Sequence, residues 1–121
     1  MYKMYAVMSM EAVKKMNGIQ GKMITQGGHA YVHAGWDADK RFPEAMQAYK
    51  DSDHARKITV RVDTDAELFE LLEAYKKVCG VSLVKDSGFT VFSEPTITCL
   101  GIGPIHESDI GEDLKALKLF S

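Results

Sequence analysis

The sequence predicts an α/β fold, and three observations carry that expectation. Apolar residues recur with two different periods, two in residues 57–62 and 3.6 in residues 64–75. Segments of the two kinds alternate along 121 residues, the length of one domain. Two apolar segments near residues 81–84 and 97–102 are joined by only about a dozen residues, so the sheet is expected to be mixed rather than all parallel.

The elements follow in order. Residues 4–8 form a short apolar run that reads as a buried strand. Residues 10–19 are polar and contain glycine, and are predicted as loop. Residues 21–35 can be helical. Pro43 suits a first helical position, and Glu44-Ala45-Met46-Gln47-Ala48-Tyr49-Lys50 continues from it. Asp51 to His54 is a loop. Lys57-Ile58-Thr59-Val60-Arg61-Val62 alternates polar and apolar, the pattern of a strand. Thr64 and Glu67 form a capping box, and Leu68, Leu71, Leu72 and Tyr75 follow at helical spacing, with Gly80 as the stop. The turn Asp86-Ser87-Gly88 separates the last two strands. Residues 107–119 place Ile110, Leu114 and Leu117 at helical spacing and are predicted as a closing helix.

Composition narrows the function. Hydrophobic residues are 45% and charged residues 26%, an ordinary globular profile. No run approaches the ~18 apolar residues of a membrane span. The opening residues have no small-residue cleavage site, so no secretory signal is predicted. Cys79 and Cys99 are then expected as free thiols in a reducing, cytoplasmic setting. Fifteen basic and seventeen acidic residues give a net charge of −2. A nucleic-acid role must therefore rest on a local patch. Lys14, Lys15 and Lys22 are the first candidates, with Lys40, Arg41, Arg56, Lys57 and Lys85 as further cations.

The segment richest in chemistry is Gly21-Lys22-Met23-Ile24-Thr25-Gln26-Gly27-Gly28-His29-Ala30-Tyr31-Val32-His33. As a helix it lines up Lys22, Gln26, His29 and His33 in one stripe. Gly27 and Gly28 weaken such a helix by ~1 kcal/mol each relative to Ala, which implies close packing or a substrate against the backbone. His29 and His33 have the spacing of a zinc pair, but Ala30 stands where a metalloprotease has glutamate and no third ligand is evident; no metal is predicted. Lys22 at a helix opening makes a local anion site. Asp86 and Thr90 lie just past a strand end, where ligand crevices of open α/β sheets form. Cys79, near a helix C-terminus, has no activating environment and is not a nucleophile candidate.

Three segments together resemble the second, archaeal and eukaryotic class of peptidyl-tRNA hydrolases. The resemblance rests on Gly21, Lys22, Gln26, His29 and Ala30; on the turn Asp86-Ser87-Gly88-Phe89-Thr90; and on Thr98-Cys99-Leu100-Gly101-Ile102-Gly103-Pro104. The ending Leu117-Lys118-Leu119-Phe120 extends it to nearly the whole chain. It implies a single domain over residues 1–121, a three-layer α/β/α sandwich on a four-stranded mixed sheet, and a homodimer. The implied reaction is hydrolysis of the ester between peptide and tRNA, without metal or cofactor. The implied catalytic residues are Lys22, Asp86 and Thr90, with Gln26, His29 and Thr98 binding substrate; Lys14 and Lys15 join them as the cations nearest the site. The chain departs from the family at Phe89, where Arg or Lys is usual, at Gly27, where Cys is usual, and in its acidic charge. An alternative is therefore a divergent paralogue without tRNA affinity, acting on a smaller ester or amide or binding partners through helices near Tyr49 and Tyr75.

Overall fold

The structure is a computed structural model and describes all residues except 89–91 and 93. Four strands, β1 (Tyr2–Ser9), β2 (Lys57–Val62), β3 (Val81–Asp86) and β4 (Thr96–His106), form one sheet in the order β2-β1-β4-β3. β1 pairs parallel with β2 and antiparallel with β4, and β3 pairs antiparallel with β4. The sheet is mixed, as the short connection between its last two strands predicted.

Both faces are covered. β1 divides its side chains strictly by parity. Tyr5 and Val7 point to one face, Met4, Ala6 and Met8 to the other, as a period-two backbone requires. On the first face lies α4 (Asp65–Tyr75), which packs Leu68, Leu71 and Tyr75 against Val60, Leu100 and Ile102. Its start is the predicted capping box: Thr64 Oγ1 accepts from the Glu67 amide, and Glu67 returns a carboxylate oxygen to the Thr64 amide. On the second face lie α1 (Met10–Lys15), α2 (Gln20–Arg41) and α3 (Pro43–Asp51). α2 spans 22 residues and ends where Phe42, held out of helical dihedrals at φ −137°, precedes Pro43.

The long helix sits close to the sheet because its inner face is small. Ala30, Ala34 and Ala38 recur at i, i+4 and i+8 and are fully buried. Beneath them, a Cβ on Gly101 would lie 2.0 Å from the Ala30 carbonyl oxygen. A glycine in β4 is therefore what lets the backbones touch. The Gly27–Gly28 pair plays no such part: a Cβ at either meets nothing within 4 Å among the described residues.

Two element assignments change. Residues 10–15, expected as loop, form α1; Ala12 and Met16 are buried against the sheet, and that tertiary burial outweighs the polar character of Glu11, Lys14 and Lys15. The closing helix is cut to a 3-10 turn at Glu107–Asp109 and α5 (Glu112–Lys115). Beyond it the chain becomes extended and bonds to the free edge of β2, through Arg61 N–H to the Lys118 carbonyl and Phe120 N–H to the Thr59 carbonyl. Sealing that edge satisfies backbone groups that another helical turn would have left open. In the helices named above for an alternative partner surface, Tyr49 and Tyr75 themselves are buried at 5% and 4% and bonded to Ala55 and Asp113 respectively.

Candidate active site

Asp86 ends β3, one of the two edge strands, on the face that α2 covers. Lys22 stands in the first turn of α2. The two side chains meet, Lys22 Nζ lying 2.5 Å from Asp86 Oδ2, with only 13% and 10% of the two side chains exposed. The anion site expected at the opening of α2 is thus filled by the protein's own carboxylate.

Two further contacts hold that carboxylate. The Gly88 amide donates to Asp86 Oδ1 at 2.8 Å. Gly88 has φ +88°, and a Cβ there would strike the Glu94 backbone at 2.7 Å, so the turn demands glycine. Gln26, one helical turn beyond Lys22, donates its amide to Asp86 Oδ2 at 3.4 Å. Gln26 is in turn fixed from below: Thr98 Oγ1 donates to Gln26 Oε1 at 2.7 Å, and Cys99 Sγ to the Gln26 carbonyl. Both Gln26 and Thr98 are buried.

The orientation of Thr98 comes from a defect in the sheet. Val84 pairs with Cys99 and Lys85 with Ile97, so β4 carries one extra residue, Thr98, at this point. Cys99 packs on the α2 face and Ile97 on the α4 face. The bulge absorbs the change of phase and lets Thr98 share the α2 face with Cys99. A chain of contacts results, from Thr98 through Gln26 to Asp86 and Lys22. It tunes one group visibly: the Lys22 ammonium, the Gly88 amide and the Gln26 amide hold the Asp86 carboxyl below its ordinary value, against the opposing effect of desolvation. Phe92 adds an aromatic face 5.7 Å from the Lys22 ammonium.

Lys22, Gln26, Thr98 and Asp86 are thus brought together. His29 is exposed, and its ring lies against His33, not against the ion pair. Lys14 and Lys15 are exposed at the end of α1 and form no ion pair among the described residues. Thr90 lies outside the described residues, as does Phe89. Sequence reasoning missed Phe92 and the Gly88 amide as partners of the pair. The turn glycine was a visible signal for the second; for the first there was none. Cys79 and Cys99 are free, buried thiols, each pushed up to about 12 chiefly by burial.

On the opposite flank of α2 lies an open cleft of about 460 Å³. Gly27 and Gly28 form part of its wall, together with Met8, Met23, Tyr31 and Phe120. The two glycines therefore border space, not packed backbone. No described helix is long and apolar enough to cross a membrane.

The comparisons with known proteins identify the family. The family model described as "Peptidyl-tRNA hydrolase PTH2" matches residues 2–120. The chain is 35% identical over 120 residues to the peptidyl-tRNA hydrolase of Thermococcus sibiricus, covering 98% of this chain and 99% of that one. It is 32% identical over 101 residues to that of Methanocaldococcus jannaschii, with 83% and 87% covered. It is 35% identical over 102 residues to that of Methanothermobacter thermautotrophicus, again with 83% and 87% covered. With the motifs in order, the sheet mixed as they imply and the family model matched almost end to end, this chain belongs to the peptidyl-tRNA hydrolase PTH2 family.

Proposed function

We propose that the protein hydrolyses the ester joining a peptide to the 3′ end of tRNA, with water as nucleophile. The observation that carries this reading is the nearly buried Lys22–Asp86 pair, braced by Gln26 and Thr98 at the mouth of the sheet. Ester hydrolysis needs an aligned water and a positive group for the oxyanion. Asp86 is the acceptor for the water. A carboxylate held below its ordinary value is a weak base, so alignment is its larger contribution. It takes the water's proton only as oxygen bonds to the carbonyl carbon. Lys22 has donors beyond the one it gives Asp86, and these stabilise the oxyanion. The carbon–oxygen bond to the ribose then breaks, and the proton passes to the ribose oxygen. Peptide and tRNA leave.

Thr90 is assigned on the family motif alone, as a hydroxyl that holds the water or Asp86. Gln26 and Thr98 position Asp86. His29, Lys14 and Lys15 contact substrate from outside the pair. The apolar cleft beside Gly27 and Gly28 offers room for the peptide's side chains. The chain is read as a cytoplasmic homodimer on family resemblance, which sedimentation tests. Lys22 supplies the positive charge, so the reaction needs no metal.

The test is peptide release from peptidyl-tRNA, run beside free aminoacyl-tRNA and a simple ester, with and without chelator and over a range of salt. Release from peptidyl-tRNA, unchanged by chelator and slowed by salt, is expected. Cleavage of the simple ester with no release from peptidyl-tRNA would sink the proposal.

A further inference from the structure

The flank of α2 that carries Lys22 and Gln26 extends well beyond the ion pair. Past Lys22 and Gln26, the same stripe continues through His29, His33 and Trp36. The rings stand in a row and touch. His29 and His33 have centroids 5.4 Å apart at 41°, and His33 and Trp36 have centroids 4.9 Å apart at 20°, a near-parallel stack. Trp36 is 60% exposed. The core does not require it, because these turns bury Ala30, Ala34 and Ala38 on their other side. A large ring held flat and open to solvent marks a contact surface.

The charges around the row suit a polyanion. Lys40 is exposed one turn beyond Trp36 on the same stripe. The two carboxylates of the same turns are both engaged: Asp37 by Arg41 and the Val81 amide, Asp39 by Lys50.

We propose that His33 and Trp36 form a stacking platform for the unpaired 3′ end of the substrate tRNA, which lays its bases along α2 and delivers the terminal ester to Lys22 and Asp86. The proposal rests on the hydrolase reading for its substrate. Fourteen residues separate Lys22 from Trp36, about 21 Å at the helical rise. That is room for about six nucleotides at a stacked spacing of about 3.4 Å, and for a shorter tail drawn out. Stacking on aromatic rings tolerates any base and does not depend on counterion release. It therefore supplies affinity that a chain of net charge −2 cannot draw from phosphate contacts alone.

Trp36 is the sole tryptophan, so its fluorescence reports the platform directly. The full-length protein is titrated with deacylated tRNA bearing a complete 3′ end, and with the same tRNA trimmed of its unpaired 3′ nucleotides. The complete tRNA is expected to quench Trp36, and the trimmed one to bind about tenfold more weakly without quenching. Trp36→Ala is expected to raise KM for peptidyl-tRNA about tenfold with kcat within about twofold, and Trp36→Phe to recover most of the loss. Unchanged fluorescence with complete tRNA, together with a wild-type KM in Trp36→Ala, would overturn the platform. So would a Trp36→Ala variant that sediments as a smaller species while binding tRNA normally, since the face would then be a contact between copies. Quenching by tRNA without hydrolysis of peptidyl-tRNA would support the platform and remove the hydrolase reading instead.

Discussion

The two faces of the sheet do different work. Against one, α4 packs leucines and a tyrosine on the valines and isoleucines of three strands, a cluster of hydrophobic side chains. Against the other, α2 lies on a face of alanines, and the contacts at its N-terminal end are a lysine, a glutamine, a threonine and an aspartate. Apolar packing tolerates changes that keep volume and pattern. A buried polar chain has value only when every member is satisfied, and the described residues contain no buried side-chain oxygen or nitrogen without a partner. One face holds packing alone, whereas the other carries packing and, at one end, the buried polar chain on which the proposed chemistry rests.

That contrast can be broken from either side. Asp86→Asn should lower kcat by about 10²–10⁴ with little change in the cooperativity of unfolding, measured by single-turnover release beside a urea melt. A rate near wild type would remove Asp86 from the chemistry. Leu68→Ala, at the fully buried centre of the α4 face, should cost about 2–5 kcal/mol of stability in denaturant. Activity per folded molecule should be kept. A large loss of kcat in the still-folded variant would mean the faces are coupled.

Thr98→Val sharpens the comparison, because it is nearly isosteric. It strips Gln26 Oε1 of its donor and should cost about 1–3 kcal/mol, with a loss of kcat that Gln26→Ala does not deepen further. Additive losses would mean that Thr98 acts without Gln26. The smallest effect concerns pH. The Asp86 carboxyl lies below its ordinary 3.8 when folded, so its pairing stabilises the protein fully above that value. The contribution fades as pH falls below 3.8 toward the lowered value. The stability gap between wild type and Asp86→Asn should narrow over that acid range alone. The acid limb of kcat belonging to Asp86 should likewise fall below 3.8, and a limb near neutrality would assign the titration to another group.

Much of this was legible in the residues. Thr64 and Glu67 announced α4 because a capping box is closed within four residues. The alternation of residues 57–62 announced β2 to its ends. The stripe of Lys22 and Gln26 and the Asp86 turn marked polar groups of interest, and only the family resemblance joined them with Thr98 into one site. What failed did so for a common reason. α1 is helical because Ala12 and Met16 find a sheet to cover, and the tail abandons its helical pattern because β2 has an open edge. Neither partner is visible to a local reading.

Local pattern and short-range hydrogen bonding were thus written in the chain itself: the type of most elements, the caps, and the residue kinds of the site. The three-dimensional packing alone decided that Thr98 turns toward Gln26, that Gly101 rather than Gly27 receives the close helix, and that His29 leaves the ion pair for its aromatic neighbours. Those outcomes hang on a bulge in pairing between distant strands and on the depth at which a helix settles. Both are fixed only when surfaces far apart in sequence compete for the same space.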